Sequence, residues 1–199
     1  SYRLGMPALG HYSANDRARF GLAAARAAIA LGEYGTAERE VTKLKGVTLS
    51  PMRASEASFI EAELARIYQD MPTALDIYDN LANAAPRPIA ARARLASIKT
   101  RYEEGVLKTA KAIQDLEGLR YAWRGDVFEI ELLRELGHLH VAQGEYRAGL
   151  EIMRQAVSYF EKSDATKSVT RQMEALFQDL YLKGQADDLD PLQAVALYY

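Results

Sequence analysis

Apolar residues recur along most of the chain at intervals of three and four positions, with polar and charged residues between them. This spacing matches the turn of an α-helix and gathers apolar side chains on one face. Runs that alternate apolar and polar residues, the pattern of half-buried strands, are missing. The pattern therefore predicts an all-α fold. The expected helices span roughly 16–31, 35–45, 51–68, 72–84, 88–101, 104–117, 126–143, 146–162, 166–183 and 190–199.

Several residues mark the ends of these helices. Ser13 and Asp16 have the spacing of a capping box. In this motif each of the two side chains accepts a hydrogen bond from the backbone N–H of the other residue. Gly32 and Gly144 each follow a periodic segment, where glycine adopts the left-handed conformation that ends a helix. Pro191 follows Asp190, as is typical at a helix start. Short turns between these helices predict antiparallel hairpins.

One arrangement of small and large residues recurs along the chain. In four predicted hairpins, a small residue in the first helix is followed twelve positions later by a small residue in the second. Small side chains let two helices approach closely, so each pair predicts a helix–helix contact. The four pairs are Ala25/Ala37, Ala62/Ala74, Ala93/Gly105 and Gly137/Gly149. A large side chain lies three positions before each second small residue, at Tyr34, Met71, Tyr102 and Tyr146.

The arrangement resembles the tetratricopeptide repeat, a helix–turn–helix unit of about 34 residues. Residues 18–163 carry the resemblance, including Pro86 at the closing position and the turn sequence YEEG at 102–105. The resemblance implies one domain over 1–199, an α-solenoid of stacked antiparallel hairpins. Its repeats are expected at roughly 18–51, 55–88, 86–118 and 130–163, with extra helices at 166–183 and 190–199.

The sequence also departs from that family. Successive second small residues are 37, 31 and 44 positions apart, and the tryptophan and tyrosine of the family's first helix are absent. Another type of α-solenoid and an irregular bundle therefore stay open. The segments 2–20 and 187–199 resemble parts of long bacterial proteins with such repeats. We therefore expect an internal fragment of one, from the bacterial cytoplasm or periplasm.

Composition and motifs favour a protein without catalytic activity. The net charge of −2 lacks the basic excess typical of nucleic-acid binding, and the absence of cysteine excludes disulfides and thiol chemistry. No glycine-rich phosphate loop, HExxH or nucleophile-elbow motif occurs, and no segment is apolar enough to span a membrane. His138 and His140 would lie on different sides of a helix. We expect no metal and no cofactor.

The resemblance implies that the first helices of successive hairpins line a concave, partner-binding surface. Arginine can donate two parallel hydrogen bonds to a carboxylate, so we expect a protein or peptide partner with acidic side chains. The candidate residues are Arg19, Arg26, Phe59, Glu63, Arg66, Arg94, Arg134 and His138. Trp123, between Arg120 and Arg124, is either a second contact or a cover for an irregular junction.

An alternative interpretation is that the candidate residues only form the solvated face of the helices. The chain would then be a structural spacer or a self-assembling segment of a larger protein. The apolar face of 190–199 is the candidate for self-association, because exposed apolar patches promote contacts between copies.

Overall fold

The chain folds into α-helices joined by short turns. The computed structural model describes residues 12–122, 126–159 and 164–181, and within these ranges it contains no strand, which confirms the all-α prediction. Trp123 and the predicted helix at 190–199 lie outside the described residues. The described helices are α1 (Ala14–Ala30), α2 (Tyr34–Thr42), α3 (Pro51–Ile67), α4 (Met71–Ala84), α5 (Arg87–Glu103), α6 (Thr109–Ala122), α7 (Val127–Ala142), α8 (Tyr146–Tyr159) and α9 (Asp164–Tyr181).

Contacts between helices divide the predicted domain over 1–199 into two compact units, with the division after Thr100. In the first unit α1 packs on α2, α3 packs on α4, and α3 also contacts both α1 and α2. In the second unit α7 packs on α6 and α8, and α9 contacts both α7 and α8. A helix that contacts the next helix and the one after it has the packing of a helical repeat. Each unit therefore has the arrangement of an α-solenoid segment.

Within the described residues, Ser13 caps the start of α1 and two of the predicted glycines end helices as expected, while Asp190 and Pro191 lie outside these residues. Ser13 Oγ accepts a hydrogen bond from the Asp16 backbone N–H at 3.2 Å and donates one to the Asp16 carboxylate at 2.6 Å. The first of these bonds satisfies one of the four backbone donors that a helix start leaves unpaired. Gly32 and Gly144 have φ angles of 74° and 83°, the left-handed conformation predicted for them.

The predicted small pairs of the first two hairpins lie in the core of the first unit. Ala25 and Ala37 are both 0% exposed and belong to one apolar cluster, which also takes in Ile60 from α3. Ala62 and Ala74 are also 0% exposed and share a second cluster with α5 residues. A helix of the next hairpin thus joins each cluster and extends the core.

The closest helix approach in α7 and α8 is at Gly137 and Gly149, as predicted. A Cβ atom built on Gly137 would lie 2.9 Å from the Gly149 carbonyl oxygen and 2.7 Å from Met153 Cγ. A Cβ atom on Gly149 would lie 2.7 Å from the Gly137 carbonyl oxygen. The two backbones touch, so neither position has room for a side chain.

The third predicted pair, Ala93/Gly105, is wrong. Gly105 is exposed and has a φ angle of 70°, so it follows the end of α5 rather than lying in a second helix. Helix α6 begins at Thr109 instead of 104, and its buried small residue is Ala112, 0% exposed. The sequence pattern could not distinguish a glycine needed for its backbone conformation from one needed for close packing.

This correction makes the repeat regular. The small residue is the fourth residue of every second helix in the four hairpins: Ala37, Ala74, Ala112 and Gly149. Their successive spacings are 37, 38 and 37 residues, in place of 37, 31 and 44. Twelve positions before Ala112 lies Thr100, which is 2% exposed. Thr100 therefore occupies the sequence position that Ala25, Ala62 and Gly137 hold in the other hairpins.

A pair of glycine-to-alanine substitutions tests the close approach of α7 and α8. Gly137→Ala is expected to lower the free energy of unfolding by about 1–3 kcal/mol, because the added methyl group overlaps α8. Gly118 in α6 is the matched control, since a Cβ there meets nothing within 4 Å. Gly118→Ala should stabilise the protein by about 0.5–1 kcal/mol through helix propensity. Urea denaturation measures both values, and effects of the same sign would contradict the packing.

Gln69 provides a second test, because it is the one non-glycine with a positive φ angle, 65°, among the described residues. It lies five positions before Ala74, where the first and fourth hairpins have Gly32 and Gly144. Side chains in this conformation are strained by about 1–2 kcal/mol. Gln69→Gly is therefore expected to stabilise the protein by about 0.5–1 kcal/mol after the greater chain entropy of glycine is included. Gly32→Gln should destabilise the protein. Thermal unfolding measures both variants, and a lower melting temperature for Gln69→Gly or a higher one for Gly32→Gln would contradict the prediction.

Candidate functional site

Charged side chains from three consecutive first helices meet in the first unit. Helix α3 places Arg53 and Glu56 one turn apart, and the Arg53 guanidinium donates to Glu56 Oε2 at 2.7 Å. Arg26 of α1 forms an ion pair with the other oxygen of the same carboxylate, Oε1. One carboxylate is therefore shared between two arginines on neighbouring hairpins.

A third arginine, Arg92 of α5, completes this group. Its Cζ atom lies 4.6 Å from the centre of the Phe59 ring, which follows Glu56 by one turn of α3. A guanidinium above an aromatic ring gains a cation–π interaction and still keeps N–H donors for other partners. Among the described residues, no carboxylate forms an ion pair with Arg92. We call Arg26, Arg53 and Arg92 the arginine cluster.

The arginine cluster has more positive charge than its surroundings neutralise. Partial burial, followed by the positive charges of Arg92 and Arg53, lowers the pKa of Arg26 below its ordinary value. The side chain of Glu56 is only 8% exposed, whereas those of Arg26 and Arg53 are 43% and 29% exposed. An anion from solution can therefore reach the arginines.

A second polar group in the first unit is satisfied within the protein. Tyr78 of α4 is 0% exposed, and its hydroxyl donates a hydrogen bond to the Glu63 carboxylate of α3. Arg66 donates to the same carboxylate at 3.2 Å. Burial, and then the Glu63 charge, raises the pKa of the Tyr78 phenol above its ordinary value. Glu63 raises the pKa of Arg66, although burial alone would lower it. This network stabilises the contact between α3 and α4.

The predicted partner-binding residues of the first unit occupy different environments. Arg26 belongs to the arginine cluster, while Glu63 and Arg66 belong to the internal network with Tyr78. Arg19 is exposed on α1. Phe59 is 8% exposed and packs against Tyr78, with ring centroids 5.7 Å apart, so Arg92 and the core cover it. Its aromatic face supports an arginine rather than facing solvent.

The other predicted residues lie on α5 and α7. Arg94 is exposed and donates to the Ala82 carbonyl oxygen at 3.1 Å, near the end of α4. In the second unit, Arg134 is half-buried and donates to Glu135 at 2.7 Å, and His138 is exposed. Arg94 is therefore not part of the arginine cluster, and the member of the cluster that lies on α5 is Arg92.

Sequence reasoning missed Arg53 and Arg92. The spacing of Arg53 and Glu56 in one helix is a local signal that could have identified that pair. Arg92 and Arg94 are two positions apart, so only the correct register of α5 could have distinguished them. The mistaken pairing of Ala93 with Gly105 removed that information.

Comparison of the chain with protein families, with characterised proteins and with solved structures finds no match. Every helix within the described residues is too short or too polar to cross a membrane. In the same part of the chain, no three His, Asp or Glu side chains are placed to hold a metal ion.

The Tyr78–Glu63 hydrogen bond predicts a pH-dependent contribution to stability. Tyr78→Phe should lower the free energy of unfolding at pH 8 by about 1–2 kcal/mol, because Glu63 loses a donor. The folded-state pKa of Tyr78 is raised, so its contribution is complete below the unfolded-state pKa of about 10. Above pH 10 only the unfolded state releases the phenolic proton. The difference between wild type and variant should then shrink by about 1.4 kcal/mol per pH unit.

Urea denaturation between pH 8 and pH 11 measures this difference. Tyr68→Phe is the matched control, because the Tyr68 side chain is 54% exposed and its stability difference should stay constant across this range. A Tyr78→Phe difference that also stays constant above pH 10 would contradict the assigned hydrogen bond.

Proposed function

We propose that this chain is a non-catalytic scaffold that binds an acidic segment of a protein partner on the first-helix face of its first unit. The observation that carries the proposal is the arginine cluster, in which Arg26 of α1 and Arg53 of α3 share the Glu56 carboxylate and Arg92 of α5 lies over the Phe59 ring. Guanidinium groups stay protonated at neutral pH, so they suit recognition of anions rather than acid–base catalysis.

The repeat arrangement supports recognition of an extended segment. In the first unit α3 lies against α1, and Arg92 of α5 covers Phe59 of α3. An extended chain crossing these helices meets side chains from a new hairpin at each step, which is how helical repeats bind peptides. Carboxylates spaced along such a chain would form ion pairs with Arg26, Arg53 and Arg92.

We further propose that the hairpins are divergent tetratricopeptide repeats. The supporting observations are the buried small residue at the fourth position of each second helix and the interval of twelve within the hairpins. The period of 37 or 38 residues is longer than the usual unit of about 34, which is the main difference from that family.

Peptide selection tests the proposed binding. Random peptides displayed on phage are selected on the full 199-residue chain, and the binders are measured by fluorescence anisotropy. We expect enrichment of Asp and Glu. Arg92→Glu should weaken binding by about tenfold or more, because attraction of the peptide is replaced by repulsion. Raising the salt concentration should weaken binding to wild type.

Arg39→Glu is the control for the change in net charge. Arg39 lies on the second helix α2, where its guanidinium donates to the Thr36 hydroxyl at 2.9 Å. The selected peptides should bind this variant as tightly as wild type. Equal losses in Arg39→Glu and Arg92→Glu, or binders without acidic residues, would overturn the proposed function.

A further inference from the structure

We propose that the arginine cluster recognises a doubly charged phosphate group, carried on a phosphorylated side chain of the partner segment. This inference rests on the proposed function and specifies the chemistry of its main contact. It follows from the charge balance, the number of donors and the fixed position of Arg92.

The charge balance favours a dianion over a carboxylate. The three guanidinium charges of the cluster are opposed by the single charge of Glu56, which leaves an excess of two positive charges. A phosphate monoester carries a charge of about −1.5 to −2 at pH 7, whereas a carboxylate carries one. A bound glutamate would therefore leave one arginine uncompensated, and a bound phosphate would leave none.

The donors also match a phosphate better than a carboxylate. Each guanidinium has five N–H groups, and Glu56 contacts only the Nη1 atom of Arg26 and the Nη1 atom of Arg53. A phosphate monoester has three acceptor oxygens, one for each arginine, while a carboxylate has two. Arg clusters that fork onto phosphate oxygens are a recurrent means of recognising phosphorylated segments.

Glu56 and Phe59 prepare this site without a ligand. Glu56 draws Arg26 and Arg53 together across two hairpins, and Arg92 rests on the ring of Phe59, which follows Glu56 by one turn of α3. Three like charges would otherwise repel one another and spread into solvent. Binding then requires little further ordering of these long side chains, which reduces its entropy cost.

Nuclear magnetic resonance of the arginine Nε–H groups tests the inference on the full chain. Blocked phosphoserine, blocked glutamate and inorganic phosphate are titrated separately at constant ionic strength. Blocked phosphoserine should shift the signals of Arg26, Arg53 and Arg92 with an affinity about tenfold or more above that of blocked glutamate. The Arg39 signal serves as the internal control and should not move.

Two variants show whether the cluster itself is responsible. Arg92→Gln should reduce the affinity for blocked phosphoserine to that of blocked glutamate, since one guanidinium is lost. Circular dichroism establishes that each variant is folded, and Arg39→Gln provides the matched control.

The outcomes separate this inference from the proposed function. Equal affinity for phosphoserine and glutamate at the cluster would overturn the inference and leave an acidic partner in place. Tighter binding of inorganic phosphate than of blocked phosphoserine would also overturn it, since the site would then take a free ion. Shifts at none of the three arginines would overturn the inference together with the proposed contact.

Discussion

Close approach of the two helices within a hairpin is the constraint on which the rest of the structure depends. At Gly137 and Gly149 the backbones are in contact, with room for no side chain, and Ala25 and Ala37 are completely buried in the equivalent place. In the hairpins α1–α2, α3–α4 and α7–α8, a buried small residue at the fourth position of the second helix fixes where the two helices cross. Because dense packing leaves little freedom at such a crossing, every side chain on the first helix gains a defined direction. The next hairpin packs on that frame, as Ile60 of α3 does in the first core cluster.

Two clusters of polar side chains in the first unit depend on this packing and differ in how far they are satisfied within the protein. In the network of Tyr78, Glu63 and Arg66, the donors and the acceptor satisfy one another, so the network stabilises the hairpin and offers little to a ligand. In the arginine cluster, one carboxylate serves Arg26 and Arg53 while Arg92 rests on an aromatic ring. The first arrangement is complete within the protein. The second keeps unmatched positive charge at positions that solvent reaches, which is the condition for binding an anion.

Local signals in the sequence predicted most of the fold, and long-range register limited the rest. The capping residues, the helix-ending glycines and three of the four small pairs could be identified because each depends on neighbours within one hairpin. The predicted pair of the third hairpin was wrong because a sequence does not distinguish a glycine that ends a helix, as Gly105 does, from a glycine that packs against one. The same error in register predicted Arg94, rather than Arg92, on the first-helix face. The Arg26–Glu56 pair joins residues thirty positions apart and has no local pattern, so only the packed structure identifies it.

The net charge of −2 is a poor guide to this surface, because several acidic groups in the described residues form ion pairs within their own helices. Glu40 with Lys43, Glu117 with Arg120 and Glu151 with Arg154 are ion pairs three positions apart within single helices. Such pairs contribute only about 0.2–0.5 kcal/mol each, but they cancel charge where they lie. The arginine cluster is different, because its members come from three helices and are brought together by packing rather than by local spacing. A positive site can therefore form on an acidic chain wherever the fold collects more arginines than carboxylates.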